Sequence, residues 1–157
     1  MRLSVALLVI LCACKSRPAA PAAPEARPPA VKTIDLMEQL DKESKQRLGA
    51  KPTVEAVIEA FQHASISVDR QKQVVAMSVG ALYCAGGFLP SESAIVVCEY
   101  ASPEAAARGR EQALKITPKN ARWIFVNRAT TLTVTAGSGE GSADALAKKL
   151  EEIFSAL

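Results

Sequence analysis

Apolar positions change rhythm three times along the chain, and each rhythm predicts a different kind of segment. From Leu3 to Ala13 the residues are apolar, interrupted only by Ser4. From Lys15 to Lys32 there is no periodicity, and five of the nine prolines fall there. From Thr33 onward the pattern is that of a folded domain. Ile34, Met37 and Leu40 share a helical face, Thr33 can cap it and Gly49 can end it, so a helix is expected over 33–48. Its second half, polar after Leu40, would be solvated. Pro52-Thr53 opens a clearer helix, in which Val54, Val57, Ile58 and Phe61 recur at i, i+3, i+4 and i+7. Ala64, Ile66 and Val68 then alternate with polar residues, and Asp69 to Lys72 reads as a polar turn.

Val74 to Cys84 and Ala94 to Tyr100 are apolar and rich in β-branched residues, which predicts two strands joined across Ala85 to Ser93. Ser102-Pro103-Glu104 supplies a cap, a first-turn proline and a first-turn acid for a helix reaching Ile116, where Thr117-Pro118 stops it. Arg122 to Asn127 and Thr130 to Ala136 predict a second hairpin. In its second strand Leu132, Val134 and Ala136 point one way and Thr131, Thr133 and Thr135 the other, as in a sheet with one buried face. Leu146, Leu150, Ile153, Phe154 and Leu157 mark a last amphipathic helix capped by Ser142. The expected fold is α+β: a four-stranded antiparallel sheet from two hairpins with helices packed on one face, in α-ββ-α-ββ-α order behind an extra first helix.

Composition refines the boundaries. Eleven residues of helix reach about 16 Å, roughly half of a hydrocarbon core of about 30 Å, so residues 3–13 are too short to span a bilayer and suit a signal peptide. Residues 15–32 cannot form a core; a proline-rich linker of this length extends up to roughly 55 Å. The chain therefore divides into 1–13, 14–32 and a single domain at 33–157. The net charge of +3 is a property of the leader and linker. Of 19 basic and 16 acidic residues, Arg2, Lys15, Arg17, Arg27 and Glu25 precede Val31, which leaves 15 against 15 beyond it. A neutral domain lacks the clustered basic surface that nucleic-acid binding requires.

The end of the apolar run carries the one family resemblance. Arg2 gives a positive start, and Leu11-Cys12-Ala13-Cys14 resembles the bacterial lipobox: an aliphatic residue, then a small one immediately before the modified cysteine, then a switch to polar linker. The likeness covers about 15 residues. It implies a bacterial lipoprotein, cleaved before Cys14, with the Cys14 thiol and the new amino group acylated. Two or more acyl chains anchor a protein stably. Lys15 stands where an aspartate tends to hold lipoproteins at an inner membrane, so the resemblance implies the outer membrane, facing the periplasm or the cell surface. An ordinary secretory signal with nearby cleavage is the alternative.

Little in the domain points to chemistry. Cys84 and Cys98 lie on the two strands of the first predicted hairpin, and a turn centred on Ser91 sets them opposite each other. Cross-strand neighbours have Cβ atoms about 4.5–5.5 Å apart. In an exported domain this predicts a structural disulfide, with free buried thiols and a redox pair as alternatives; the spacing is not Cys-x-x-Cys. Gly137-Ser-Gly-Glu-Gly-Ser142 occupies a strand-to-helix connection, yet no lysine follows as in a phosphate loop and Glu140 would repel phosphate. His63 is the only histidine, so no metal site or His-dependent triad is assembled from the usual residues. No catalytic, cofactor or metal residues are assigned. Phe88-Leu89, two apolar residues in the first hairpin loop, form the candidate contact loop, unless that loop folds back on the core. The expected function is non-enzymatic: an envelope lipoprotein whose tethered domain binds another envelope protein. The alternative is a small-ligand carrier or sensor, which would need a sizeable apolar pocket.

Overall fold

A computed structural model describes residues 35–117, 122–137 and 143–157. The elements are α1 (Leu36–Lys45), α2 (Val54–His63), β1 (Asp69–Val74), a 3₁₀ turn (Met77–Val79), β2 (Tyr83–Phe88) and β3 (Ala94–Glu99), followed by α3 (Pro103–Ile116), β4 (Arg122–Asn127), β5 (Thr130–Thr135) and α4 (Ala143–Ser155). The fold is α+β, and its sheet is antiparallel as expected. It has five strands, not four, in the order β1-β2-β3-β5-β4. The second hairpin joins the first through its later strand, with Cys98 opposite Thr131 and Ile95 opposite Val134.

The added strand is β1. The segment Asp69-Arg-Gln-Lys-Gln-Val has no apolar alternation and reads as a turn, but it pairs with β2 through Lys72 opposite Gly86 and Val74 opposite Cys84. The register slips between Asp69 and Lys72, where Arg70 takes a positive φ of 49°. Charge and irregularity are what protect an edge strand from pairing with another chain. The expected strand from Val74 to Cys84 is correspondingly divided. Val74 ends β1, Gly80 turns left-handed at φ 69° after the 3₁₀ turn, and β2 begins only at Tyr83. β2 in turn runs through Gly86-Gly87, which the sequence places in a loop. A Cβ on Gly86 would lie 2.0 Å from the Ile95 carbonyl oxygen, and one on Gly87 would lie 2.5 Å from that of Asp69. The glycines let three strands approach closely.

Helices cover both faces of the sheet, which corrects the expectation of one. On the first face α2 and α4 pack Val57, Phe61, Leu150 and Phe154 against Ile95, Val97, Leu132 and Val134. On the opposite face Ala106 of α3 and Ala76 beside the 3₁₀ turn pack against Cys84, Cys98 and Tyr100. The threonine side of β5 is therefore not a solvent face: Thr131 is buried. The inward residues of α3 are Ala106, Gly109 and Ala113, too small to mark a face by hydrophobic pattern.

Local signals set the helix starts. Asp35 Oδ1 accepts from the N–H of Met37 at 2.9 Å, so α1 opens at Leu36. Thr53 Oγ1 caps α2 by accepting from Ala56 N–H at 3.2 Å, and Ser102 Oγ caps α3 through Ala105 N–H at 3.2 Å. Asp35 therefore caps α1 in place of the expected Thr33; the expected cap Ser142 lies outside the described residues, as do the leader, Cys14 and the linker.

Candidate functional site

Because β1 extends the sheet beyond the helix that covers its neighbours, a trough runs between α2 and β1. Its volume is about 570 Å³. Tyr83 and Ala85 of β2 line it together with Val54 and Ile58 of α2, and Gln71 and Gln73 belong to β1. Glu55, Glu59, Gln62 and Lys72 add polar groups. The trough is open, with an apolar floor and polar rims.

One arginine fixes the Tyr83 end. Arg47, in the α1–α2 connection, donates from Nε and Nη2 to Glu99 at 3.1 and 2.6 Å. It donates from Nη1 and Nη2 to Glu55 at 2.7 and 2.6 Å. Its guanidinium carbon lies 4.2 Å from the Tyr83 ring centroid. Glu99 is 1% exposed, and its Oε1 also accepts from Val54 N–H at 2.8 Å, at the first turn of α2. A helix N-terminus stabilises a carboxylate. These hydrogen bonds hold Glu55 below the usual carboxylate range and push Arg47 upward. Burial raises the Tyr83 hydroxyl. Thr130 Oγ1 adds a bond to the Pro52 carbonyl at 2.6 Å. With four arginine–carboxylate hydrogen bonds and one from the Val54 N–H made at once, the cluster is a clamp that seats the start of α2 on the sheet. The signal for it in the sequence is Glu99, an acid inside the apolar run of β3.

A second buried acid works in the same way at the edge. Glu43 of α1 accepts from Ala76 N–H at 2.9 Å and from Met77 N–H at 3.1 Å, capping the 3₁₀ turn. Gln39 Nε2 donates to it at 2.8 Å.

Cys84 and Cys98 are disulfide-bonded, with Cα atoms 4.1 Å apart, in direct register across β2 and β3. The bond lies on the face opposite the trough, where it walls a smaller cavity of about 140 Å³ beneath α3 and the 3₁₀ turn. The expected contact loop is placed differently. Leu89 is 3% exposed and packs in the first core, because the loop folds back on it. Phe88 ends β2 and is half-buried, with Arg70 stacked 4.2 Å from its ring centroid. His63 is exposed, its Nε2 3.5 Å from Glu59 on the next turn. Of the glycine-rich connection, residues 138–142 lie outside the described residues.

At the other sheet edge one β4 carbonyl is taken by a side chain. Beside β4 a depression of about 490 Å³ is lined in part by Arg110, whose Nε donates to the Ile124 carbonyl at 3.1 Å. Among the described residues no group of three or more His, Cys, Asp and Glu could hold a metal ion, and no helix is long and apolar enough to cross a membrane. No family model, curated protein or solved structure matches the chain.

Proposed function

We propose that the chain is an exported, lipid-anchored envelope lipoprotein whose domain binds a segment of another envelope protein in the α2–β1 trough. The observation that carries the binding half is the trough itself. It is an open channel beside a sheet edge, with Tyr83 stacked under Arg47 at one end, and aromatic residues and arginine are the side chains that concentrate binding energy at protein interfaces. The location rests on Leu11-Cys12-Ala13-Cys14. The Cys84–Cys98 disulfide supports it, since such bonds persist in oxidising compartments. The second reading, a small-ligand carrier or sensor, draws on the cavity behind the disulfide. At about 140 Å³ that cavity is well below the roughly 300–1,000 Å³ of drug-sized ligand sites, which is why the trough leads.

Two experiments test the two halves. Incorporation of labelled palmitate that disappears in Cys14→Ala reads the anchor; label retained in that variant refutes it. Photo-crosslinkers at Gln62 and Gln71, on the two walls of the trough, are compared in cells with one at Lys148 on α4. One shared adduct from the wall positions, absent from Lys148 and lost with Tyr83→Ala, is the expected result. Equal capture from Lys148, or no reproducible adduct, refutes the trough as the binding surface.

A further inference from the structure

The opposite face of the sheet carries a space that the trough does not explain. The cavity behind the disulfide lies between the sheet, the 3₁₀ turn and the end of α3, and Val74, Val79, Val96, Ala113, Ile116 and the disulfide sulfurs give it mostly apolar walls. It exists because the inward face of α3 is made of small residues, while Ile116 at its last turn is 54% exposed. The space is half open, Thr117, Thr131 and Thr133 add hydroxyls to its lining, and its apolar walls suit the end of an alkyl chain. A groove of about 370 Å³ between the 3₁₀ turn and α3 lies next to this space, with Ser78 and Val79 standing between the two and lining both. Met77, half exposed, stands beside that groove, and Arg108 is the one charged residue among those lining it. Glu104 lies one turn before Arg108 on α3 and faces it electrostatically.

We infer that this paired cavity and groove bind a single-chain anionic amphiphile, with the end of the alkyl chain against the disulfide and the head group at Arg108. The cavity matches a chain end rather than a whole ligand, the groove supplies the length between, and one cation stands at the outer end to select the sign of the head. The inference does not depend on the α2–β1 trough, which is on the other face.

Octanoate, a single chain with a carboxylate head, is the probe. It is titrated into the full chain carrying Cys14→Ala, and methyl resonances are followed by NMR. Saturable shifts at Val74, Val79, Val96 and Ile116, with Val57 and Leu132 of the first core unmoved, are expected at a millimolar Kd or tighter. Arg108→Gln weakens binding about two- to fivefold, the effect of one exposed ion pair, and octylamine binds more weakly than octanoate. Ala113→Leu fills the cavity and abolishes the shifts; Val96→Leu fills it from the sheet side should Ala113→Leu not fold. Non-saturable shifts, shifts shared by both cores, or unchanged binding in a folded cavity-filled variant overturn the inference. Unchanged affinity in Arg108→Gln overturns its anionic head.

Discussion

Gly109 offers a perturbation for which two physical effects give opposite signs. In an exposed helix interior, Gly→Ala stabilises by about 1 kcal/mol because alanine loses less conformational freedom. Gly109 is buried in α3, and a Cβ there would lie 2.2 Å from Tyr100 Cε1 and 2.3 Å from Cζ and Oη. Carbon atoms settle at about 3.5–4.0 Å, so helix and ring must separate by more than an ångström. The ring is held where it is: Tyr100 is 1% exposed, its hydroxyl is bonded to Thr131, and its N–H donates to the Ala129 carbonyl at 2.8 Å. Lifting α3 instead opens the contacts of Ala106 and Ala113. Overpacking of this kind costs about 1–3 kcal/mol, occasionally more, and a contact this short belongs at the upper end. Gly109→Ala is therefore expected to destabilise by a net 2 kcal/mol or so, lowering Tm by roughly 8 °C at about 4 °C per kcal/mol.

Urea unfolding read by Trp123 fluorescence, with far-ultraviolet dichroism as a second probe, measures the effect. Tyr100→Phe leaves the clashing ring carbons in place and does not rescue Gly109→Ala. Tyr100→Leu removes them, so the double variant is expected to be more stable than the sum of the single changes by about 1 kcal/mol or more, the range found for contacting residues. A rise in the midpoint for Gly109→Ala alone would refute the close packing of α3 on Tyr100.

Further expectations follow from the clamps and the disulfide. Glu99→Ala leaves Val54 N–H and part of Arg47 without their acceptor and is expected to cost about 3–5 kcal/mol in urea unfolding, as for a broken buried ion pair. Because Glu55 titrates below its ordinary 4.5, its contribution is present above that pH and is lost as pH falls through the lowered value. The stability difference between wild type and Glu55→Gln, seen near neutrality, is expected to shrink in acid, and a difference constant with pH would contradict the Arg47 bond. Glu43→Ala removes the acceptor of two backbone donors, each worth about 1.5–3 kcal/mol to a charged partner, and should speed amide exchange at Ala76 and Met77 ahead of the rest of the chain. Replacing both Cys84 and Cys98 by Ser, which opens a short loop, should cost about 3 kcal/mol in the same unfolding assay.

The sequence reads most clearly where a side chain has one job. Val54, Val57, Ile58 and Phe61 announce α2, Ser102-Pro103 the start of α3, and Arg122–Asn127 with Thr130–Ala136 the second hairpin, found with its later strand ending at Thr135. The pairing of Cys84 with Cys98 is legible because the two are equidistant from Ser91, the centre of the turn, even though β2 runs on to Phe88 where a loop was expected. What misleads is an edge and a small-residue face. β1 buries little, so hydrophobic pattern is silent and only backbone pairing defines it. α3 packs with alanine and glycine, so its side of the sheet cannot be read from periodicity. Both features of functional interest depend on these two elements. The trough exists because β1 extends the sheet past α2, and the cavity because α3 is narrow, which is why neither is visible in the chain.

The two sides of the sheet are also held by different forces, and this bears on how the domain responds to its neighbours. The first face is closed by large side chains, with Phe61 and Phe154 fully buried. Removing any of them costs several kcal/mol, so this layer is rigid on the scale of binding energies. At the edge, α1 buries only Glu43 and leaves Leu36 and Met37 largely exposed. Its attachment is polar: Glu43 to the 3₁₀ turn, and Gln73 Nε2 to the Leu40 carbonyl at 2.8 Å. Few buried apolar contacts and reliance on single hydrogen bonds mark the low end of local stability. The Glu43 carboxylate grips the same turn that walls the cavity behind the disulfide, and Gln73, on β1, also lines the trough. α1 thus reaches the boundaries of both spaces through these polar contacts, and its loosening would reach them before it reached the core.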